Sequence, residues 1–377
     1  MDADPVNAMD IYGNFNLNLS YTKGNERSFG PGNNLDTYLG GHLYFTSRDL
    51  QLYYFLLDLK MDGELTNRVA EEPLIAPVSL SVNQCFLQVP FSGRSFLYGG
   101  KKMKETGVSQ FFNISNRISP KFLSGFNYER NAPGFIEANF IYSDQLTQGL
   151  LLYFREAKNW DQISAAVYTE YNFGNFYVDG YLYYEELEKP FVGVNLSYQQ
   201  GFYQFYLESI WKDCSKQVIV VGDTVARRDQ KGTLSFVGGV SFVKDKWSLV
   251  LEYLHRQEGC NSEEQRDFID YFCRQEQGGE VPYSCYALLR NYLAVSCTYS
   301  IHPELKLGLS TILSFQPVGS NFKEYAAYEF SSNLRYMLNQ NCWVTFYGQY
   351  LTGGEYGEFN NLSPIRQTIG LALSYMF

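Results

Sequence analysis

The chain ends Thr368-Ile369-Gly370-Leu371-Ala372-Leu373-Ser374-Tyr375-Met376-Phe377. Ile369, Leu371, Leu373, Tyr375 and Phe377 share one face, and Thr368, Gly370, Ala372 and Ser374 share the other. A period of two is the signature of a strand, and this strand has one apolar face to cover. Aromatics make up 17% of the chain, with 32 Tyr and 29 Phe, and Tyr is the residue of membrane-interface girdles. No apolar stretch reaches the roughly 18 residues of a membrane helix. The run at 52–57 has only strand length. A chain this aromatic is therefore a large soluble β protein or a barrel in lipid.

Runs whose alternate residues are apolar recur eighteen times, from 10–22 to 365–377. Examples of the apolar face are Ile11/Phe15/Leu17/Leu19, Val178/Leu182/Tyr184 and Trp247/Leu249/Leu251/Tyr253. The opposite faces carry Asn14, Asn16, Asp179 and Glu252. Apolar outside and polar inside is the pattern of a transmembrane barrel. The connections provide an independent test. Every second one is a short turn, such as Gly174-Asn175, Lys244-Asp245 and Asn339-Gln340. The alternate connections are mostly long: 23–33, 62–79, 103–133, 213–231, 257–287, 316–324 and 352–364. Short periplasmic turns and long external loops are the outer-membrane arrangement. An even strand number places both termini on the periplasmic side. No repeat near 40–50 residues suggests a propeller. The sequence thus predicts one all-β domain over 1–377, a transmembrane antiparallel β-barrel of about 18 strands.

Two stretches resemble known barrels. A final strand closing on Phe377 resembles the last strand of bacterial outer-membrane barrels, which implies recognition by the barrel-assembly machinery through that residue. The stretch Asn83-Gln84-Cys85-Phe86-Leu87-Gln88-Val89-Pro90-Phe91, continuing through Gly99-Gly100-Lys101-Lys102 to Phe111-Phe112-Asn113-Ile114-Ser115-Asn116, resembles a signature of porin-type barrels. The alginate-export barrels and related substrate channels are the relatives it suggests. Thr106-Gly107 stands where that pattern has Trp-Gly, and Ile114 and Asn116 stand where it has Pro and Asp. The resemblance therefore implies the fold and the channel class, but not the solute.

Loop 103–133 follows the fifth run and holds the position of a porin constriction. Lys101, Lys102, Lys104, Arg117 and Arg130 are its candidate constriction residues. Basic groups in a narrow space would favour anionic solutes. Alternation places Asp58, Lys60, Arg155, Glu170, Asp179, Tyr181, Tyr183, Glu208, Glu252, Arg256, Glu329 and Arg335 on the pore lining. Glu137, Lys306 and Arg366 share that face. Mixed charge of this kind is expected to form ion-pair ladders. Inward Tyr, including Tyr12, Tyr44 and Tyr206, would fill the wall or offer ring faces to sugars. In loop 257–287, Ser262-Glu263-Glu264-Gln265 reads as a capping box. Phe268, Ile269 and Phe272 follow at helical spacing, so a short helix that packs loops or lids the mouth is expected.

Cys214, Cys260, Cys273 and Cys285 lie in or beside long loops. In an oxidising compartment they suggest two disulfides, with three connectivities open. Cys85, Cys297 and Cys342 fall within strands. No His neighbours the loop cysteines, so no metal site is expected. His occurs only at 42, 255 and 302, no catalytic grouping or nucleotide fingerprint is evident, and neither an enzyme nor a cofactor is expected. The net charge of −10 argues against a nucleic-acid partner.

The expected location is a bacterial outer membrane. Met1-Asp2-Ala3-Asp4-Pro5 is read as following a removed signal peptide. The expected function is passive, substrate-selective diffusion of small hydrophilic solutes such as saccharides or anions. The alternative is a plugged surface barrel, acting as an adhesin or structural protein through its loops. Outer-membrane lipid and a small hydrophilic solute are the expected partners, with a homo-trimer as the candidate assembly. Replacing Lys101, Lys102 and Arg117 with Ala is expected to shift ion preference toward cations. An unchanged reversal potential in a salt gradient would take these residues out of the pore.

Overall fold

The computed structural model describes residues 9–24, 34–49, 53–68, 74–75, 78–104, 106–116, 133–154, 163–185, 189–222, 224–274, 288–316, 322–362 and 365–377. The wall begins with β1 (Met9–Gly24), β2 (Asn34–Asp49), β3 (Tyr53–Arg68), β4 (Leu74–Ile75), β5 (Ser79–Ser92) and β6 (Ser95–Lys101). It continues through β7 (Gly134–Ile141), β8 (Leu146–Phe154), β9 (Ser164–Phe173), β10 (Phe176–Tyr184), β11 (Phe191–Gln200), β12 (Tyr203–Val221) and β13 (Thr224–Lys244). It ends with β14 (Trp247–Arg256), β15 (Asn291–His302), β16 (Leu305–Phe315), β17 (Ala327–Asn339), β18 (Cys342–Gly353) and β19 (Ile365–Met376). Each strand pairs antiparallel with its sequence neighbour, and β1 pairs with β19, so the sheet closes. Segment β4 pairs only with the end of β3, while β5 pairs directly with β3. Eighteen strands therefore form the ring among the described residues.

Closure satisfies the backbone donors and acceptors that an open sheet would leave bare. It extends to the last residue: Gly13 N–H donates to Phe377 O and Phe377 N–H to Gly13 O, each at 3.0 Å. The two faces separate as the alternation predicts. On β8, Leu150 and Leu152 are 48% and 40% exposed, whereas Leu151 and Tyr153 are 0% and 1%. Short turns sit at one end, and four of them carry a left-handed residue: Gly93 (φ 50°), Gly174 (φ 57°), Gly201 (φ 59°) and Asp245 (φ 52°).

Inward tyrosines lie against glycines on the neighbouring strand. Tyr168 faces Gly149, Tyr206 faces Gly239 and Tyr347 faces Gly370. A Cβ on any of these glycines would come within 2.4 Å of the ring. The glycine lets the ring lie flat, and its hydroxyl then reaches sideways: Tyr206 to Glu252 at 2.7 Å and Tyr347 to Asn18 at 2.7 Å.

Three features differ from the sequence expectation. Residues 213–231, read as a loop, continue β12 and β13 as a paired ribbon from Cys214↔Lys231 to Val221↔Thr224. The β-branched stretch Val218-Ile219-Val220-Val221 suits an extended ladder. Helix α1 (Ser262–Arg274) is present, but its capping box starts one residue earlier. Asn261 Oδ1 accepts the Glu264 N–H and Glu264 accepts the Asn261 N–H, both at 2.9 Å. The amide of Asn261 competes successfully with the Ser262 hydroxyl for the cap.

The two-disulfide scheme is not formed, because Cys214 and Cys260 both keep thiols. Cys214 is held in the β12 ladder. Cys260 is buried with Phe268, Ile269 and Leu289, where burial pushes the thiol up to about 12 and disfavours the thiolate that exchange needs. The side chains of Cys273 and Cys285 lie outside the described residues.

A valine at Gly13 would drive its Cβ to 2.6 Å from the Phe377 ring and 2.7 Å from His42 O. Gly13→Val is expected to destabilise closure by about 1–3 kcal/mol. It should lower the fraction of refolded protein that migrates as a compact barrel on an unheated gel, and wild-type yield would refute this.

Candidate functional site

The described part of loop 103–133 lies inside the barrel against its wall. Its first turn is tied down near β6. Met103 N–H donates to Gln84 Oε1 at 3.0 Å and Lys102 N–H to Pro133 O at 3.2 Å. Lys104 Nζ reaches Glu137 at 2.6 Å and sits 4.8 Å from the Tyr168 ring centre. Lys102 Nζ lies 4.1 Å from the Phe86 ring centre. Burial and the Lys104 charge hold the Lys102 ammonium below the ordinary lysine range, against an opposing pull from Glu137.

From there the chain turns tightly through Gly107 (φ 90°), where a Cβ would meet Ser115 Oγ at 2.3 Å and Glu208 Oε1 at 2.5 Å. Residues 108–115 then wrap two buried wall carboxylates. Glu208 on β12 accepts N–H groups from Val108, from Ser109 at 2.6 Å and from Ser115 at 3.2 Å, and the Ser115 hydroxyl at 3.1 Å. Glu252 on β14 accepts N–H groups from Gln110, Phe111 (2.9 Å) and Phe112 (3.0 Å). Both carboxylates are 0% exposed. A buried carboxylate is costly unless hydrogen-bonded, and a loop needs its N–H groups satisfied. Here each requirement meets the other, in the manner of a backbone anion nest. Tyr183 adds a hydrogen bond to Ser115 O at 2.8 Å.

The loop also joins the long-loop end. Phe112 belongs to an apolar cluster with Phe268 and Ile269 of α1, Leu289, Tyr292, and Phe359 of α2 (Glu358–Asn361). Gln265 staples these pieces. Its amide donates to Tyr356 O at 2.6 Å and accepts from Gln316 at 2.8 Å. Helix α1 therefore packs into the mouth and touches the loop that crosses the interior.

Of the candidate constriction residues, Lys101 donates to Val82 O at 2.8 Å, and Lys102 and Lys104 cluster as described. Arg117 and Arg130 lie outside the described residues, as does the lining candidate Arg155. The remaining lining candidates face inward with very unequal exposure. Asp58 (0%) is held by His42, Asn83 and Gln84 at 2.8, 2.6 and 3.3 Å. Asp179 (1%) accepts from Tyr177 at 2.8 Å. Glu329 (7%) accepts from Gln349 at 2.8 Å. Glu170 lies directly opposite Asp179 in the β9–β10 register. Tyr181 and Tyr183 stack 5.3 Å apart inside the wall. Arg256 pairs with Glu258 at 3.3 Å and Lys60 with Asp62 at 2.8 Å. Lys306 and Arg335 lie directly opposite each other, both exposed, and neither forms an ion pair among the described residues.

The sequence marks Glu208 and Glu252 only as inward acids. Their role as anchors leaves no motif, because the partners are backbone groups 93 to 142 residues away. The one signal was negative: two inward acids without an inward cation opposite them.

No family model and no curated protein matches the chain by sequence. Solved structures do match its fold. OccK5 (OpdH) of Pseudomonas aeruginosa aligns with a TM-score of 0.59 at 11% identity, covering 98% of each chain. The outer membrane protein opdK of Pseudomonas aeruginosa aligns at 0.60 and 11%, covering 98% of this chain and 99% of its own. OccAB1 of Acinetobacter baumannii aligns at 0.64 and 9%, covering 98% and 96%. The chain has the porin-type barrel fold over nearly its whole length. These similarities do not extend to the alginate-export likeness of residues 83–120.

Glu252→Gln places an amide NH₂ among N–H donors, and each lost charged hydrogen bond costs about 1.5–3 kcal/mol. The variant is expected to unfold at lower temperature and to give larger, noisier ion currents than wild type. Unchanged stability and current would remove Glu252 as an anchor of the loop.

Proposed function

We propose that the chain is a bacterial outer-membrane channel for passive diffusion of small hydrophilic solutes, with a preference for anions. The observation that carries this reading is the unequal exposure of the inner-wall charges. Asp58, Glu137, Asp179, Glu208, Glu252 and Glu329 are all buried, none above 7% exposed. Lys306 and Arg335 are exposed, Arg335 with its guanidinium 4.4 Å over the Trp343 ring, and Lys60, Lys101, Lys102 and Lys104 are partly covered, as are the acids Glu170 and Asp62. A solute in the lumen would therefore meet cations first, although the chain carries net charge −10. The described residues 106–116 of loop 103–133, held along the wall by Glu208 and Glu252, form the constriction on this reading. The fold match to barrels described as outer membrane proteins supports the location. On this reading both termini face the periplasm, Phe377 is read by the barrel-assembly machinery, and a trimer is the assembly to test.

Single-channel recording in a planar bilayer under a salt gradient tests the proposal. Steady openings with an anion-selective reversal potential are expected, and Lys306→Gln with Arg335→Gln should move that potential toward cations. A folded but silent barrel would overturn the channel reading, and cation selectivity would overturn the electrostatic one. Because Lys102 is held below the ordinary lysine range, its charge is lost at a lower pH than that of an ordinary lysine. Anion preference should therefore begin to fall below the ordinary lysine value of about 10.4. This early fall should be absent in Lys102→Gln, and a wild-type profile identical to that of the variant would refute the role of Lys102.

A further inference from the structure

The outer wall carries large apolar side chains on every part of the ring, and on β15–β19 they alternate with small residues. There a notch of about 510 Å³ opens among outward residues. One rung across it reads Cys297–Leu309–Ser332–Gly348–Ile369. The next rung toward the long loops reads Thr311–Phe330–Tyr350–Gln367–Lys23. The small residues Cys297, Ser332 and Gly348 make the depth, and Leu309, Phe330 and Ile369 make apolar flanks.

The rim above the notch is cationic. Lys23 is outward and exposed, opposite Gln367. Between Lys23 and Gly24 the pairing skips from Gln367 to Ile365, which leaves Arg366 as an extra, bulged residue. The bulge turns its side chain to the outside, where it hydrogen-bonds the outward Tyr350. Neither cation forms an ion pair among the described residues. A cation at the end of a lipid-facing strand is tolerated at headgroup level, next to interfacial Tyr.

We propose that this notch binds one molecule of an anionic, phosphate-bearing lipid of the outer leaflet, its acyl chain over Gly348 and Ser332 and its phosphate at Lys23 and Arg366. The proposal rests on the outer-membrane reading above. Charge selects the occupant: a symmetric contact between two copies through this face would bring the same cations together, whereas a phosphate headgroup neutralises them while its tail fills the notch.

Native mass spectrometry of the folded protein in neutral detergent tests this with three probes: dimyristoyl phosphatidic acid, dimyristoyl phosphatidylcholine and inorganic phosphate. Expected is one retained phosphatidic acid, at least tenfold favoured over phosphatidylcholine and not displaced by inorganic phosphate. Gly348→Leu should cut its occupancy at least tenfold. A Cβ there has only ordinary contacts, 3.5 Å to Ser332 Oγ and 3.8 Å to Thr368 O, so the wall accommodates it. The pair Lys23→Gln and Arg366→Gln should do the same without touching the notch. Several lipids bound without preference, equal occupancy in both variants, or displacement by inorganic phosphate would overturn the site. An oligomer peak lost in Gly348→Leu would overturn it in favour of a second copy. Ion conductance in bilayers without any lipid adduct would sink the lipid site alone, and failure to insert into vesicles would sink the membrane reading beneath it.

Discussion

Everything in this structure follows from the closure of β1 on β19. A strand edge holds a row of backbone donors and acceptors, and inside a bilayer no water is present to satisfy them. Joining the first and last strands removes both edges at once, and the pairing runs to Phe377 itself. Once the ring is closed, alternation assigns each strand side chain to the outer face or to the interior. Leucines, valines and phenylalanines line the outside, and the polar and aromatic residues are enclosed.

Enclosure creates a second problem, because the acids of the inner wall lose water wherever a loop covers them. Glu208 and Glu252 show the solution. Neither depends on a lysine or arginine. Each is surrounded by N–H groups of one loop, so the charge is stabilised by dipoles that the loop had to satisfy in any case. The anchor and the anchored segment solve each other's desolvation, which fixes the path of the loop along the wall. Tyr206 extends this logic into the sheet: it bonds Glu252, and it can do so because Gly239 leaves room for its ring.

The same accounting separates net charge from felt charge. Acidic residues outnumber basic ones, yet six inner-wall acids are buried and bonded, Glu170 and Asp62 are partly covered, and Lys306 and Arg335 remain exposed. On the outer wall, one bulge redirects Arg366 from the inner face, where strict alternation would put it, to the rim of the notch between β15 and β19. In both places local backbone geometry decides which charges stay exposed and which are covered.

The strands were legible one by one, because a period of two is a local property and each run carries its own apolar face. The closing strand at 365–377 and the turns at Gly174 and Asp245 needed nothing beyond neighbouring residues. The helix of loop 257–287 was legible too, although its cap fell on Asn261 rather than Ser262, since two adjacent polar residues compete for one site. What the sequence did not contain is any contact made across the ring. Ser109 meets Glu208 over 99 residues and Phe111 meets Glu252 over 141, through backbone atoms that every residue type possesses. The thiols of Cys214 and Cys260 likewise depended on where the ladder and the α1 cluster placed them. Sequence alone therefore determined the barrel, its two faces and its short-turn end. Only the tertiary structure decided which inward charges are spent on holding the loop and which remain to meet a solute, because burial is a property of neighbours that alternation cannot name.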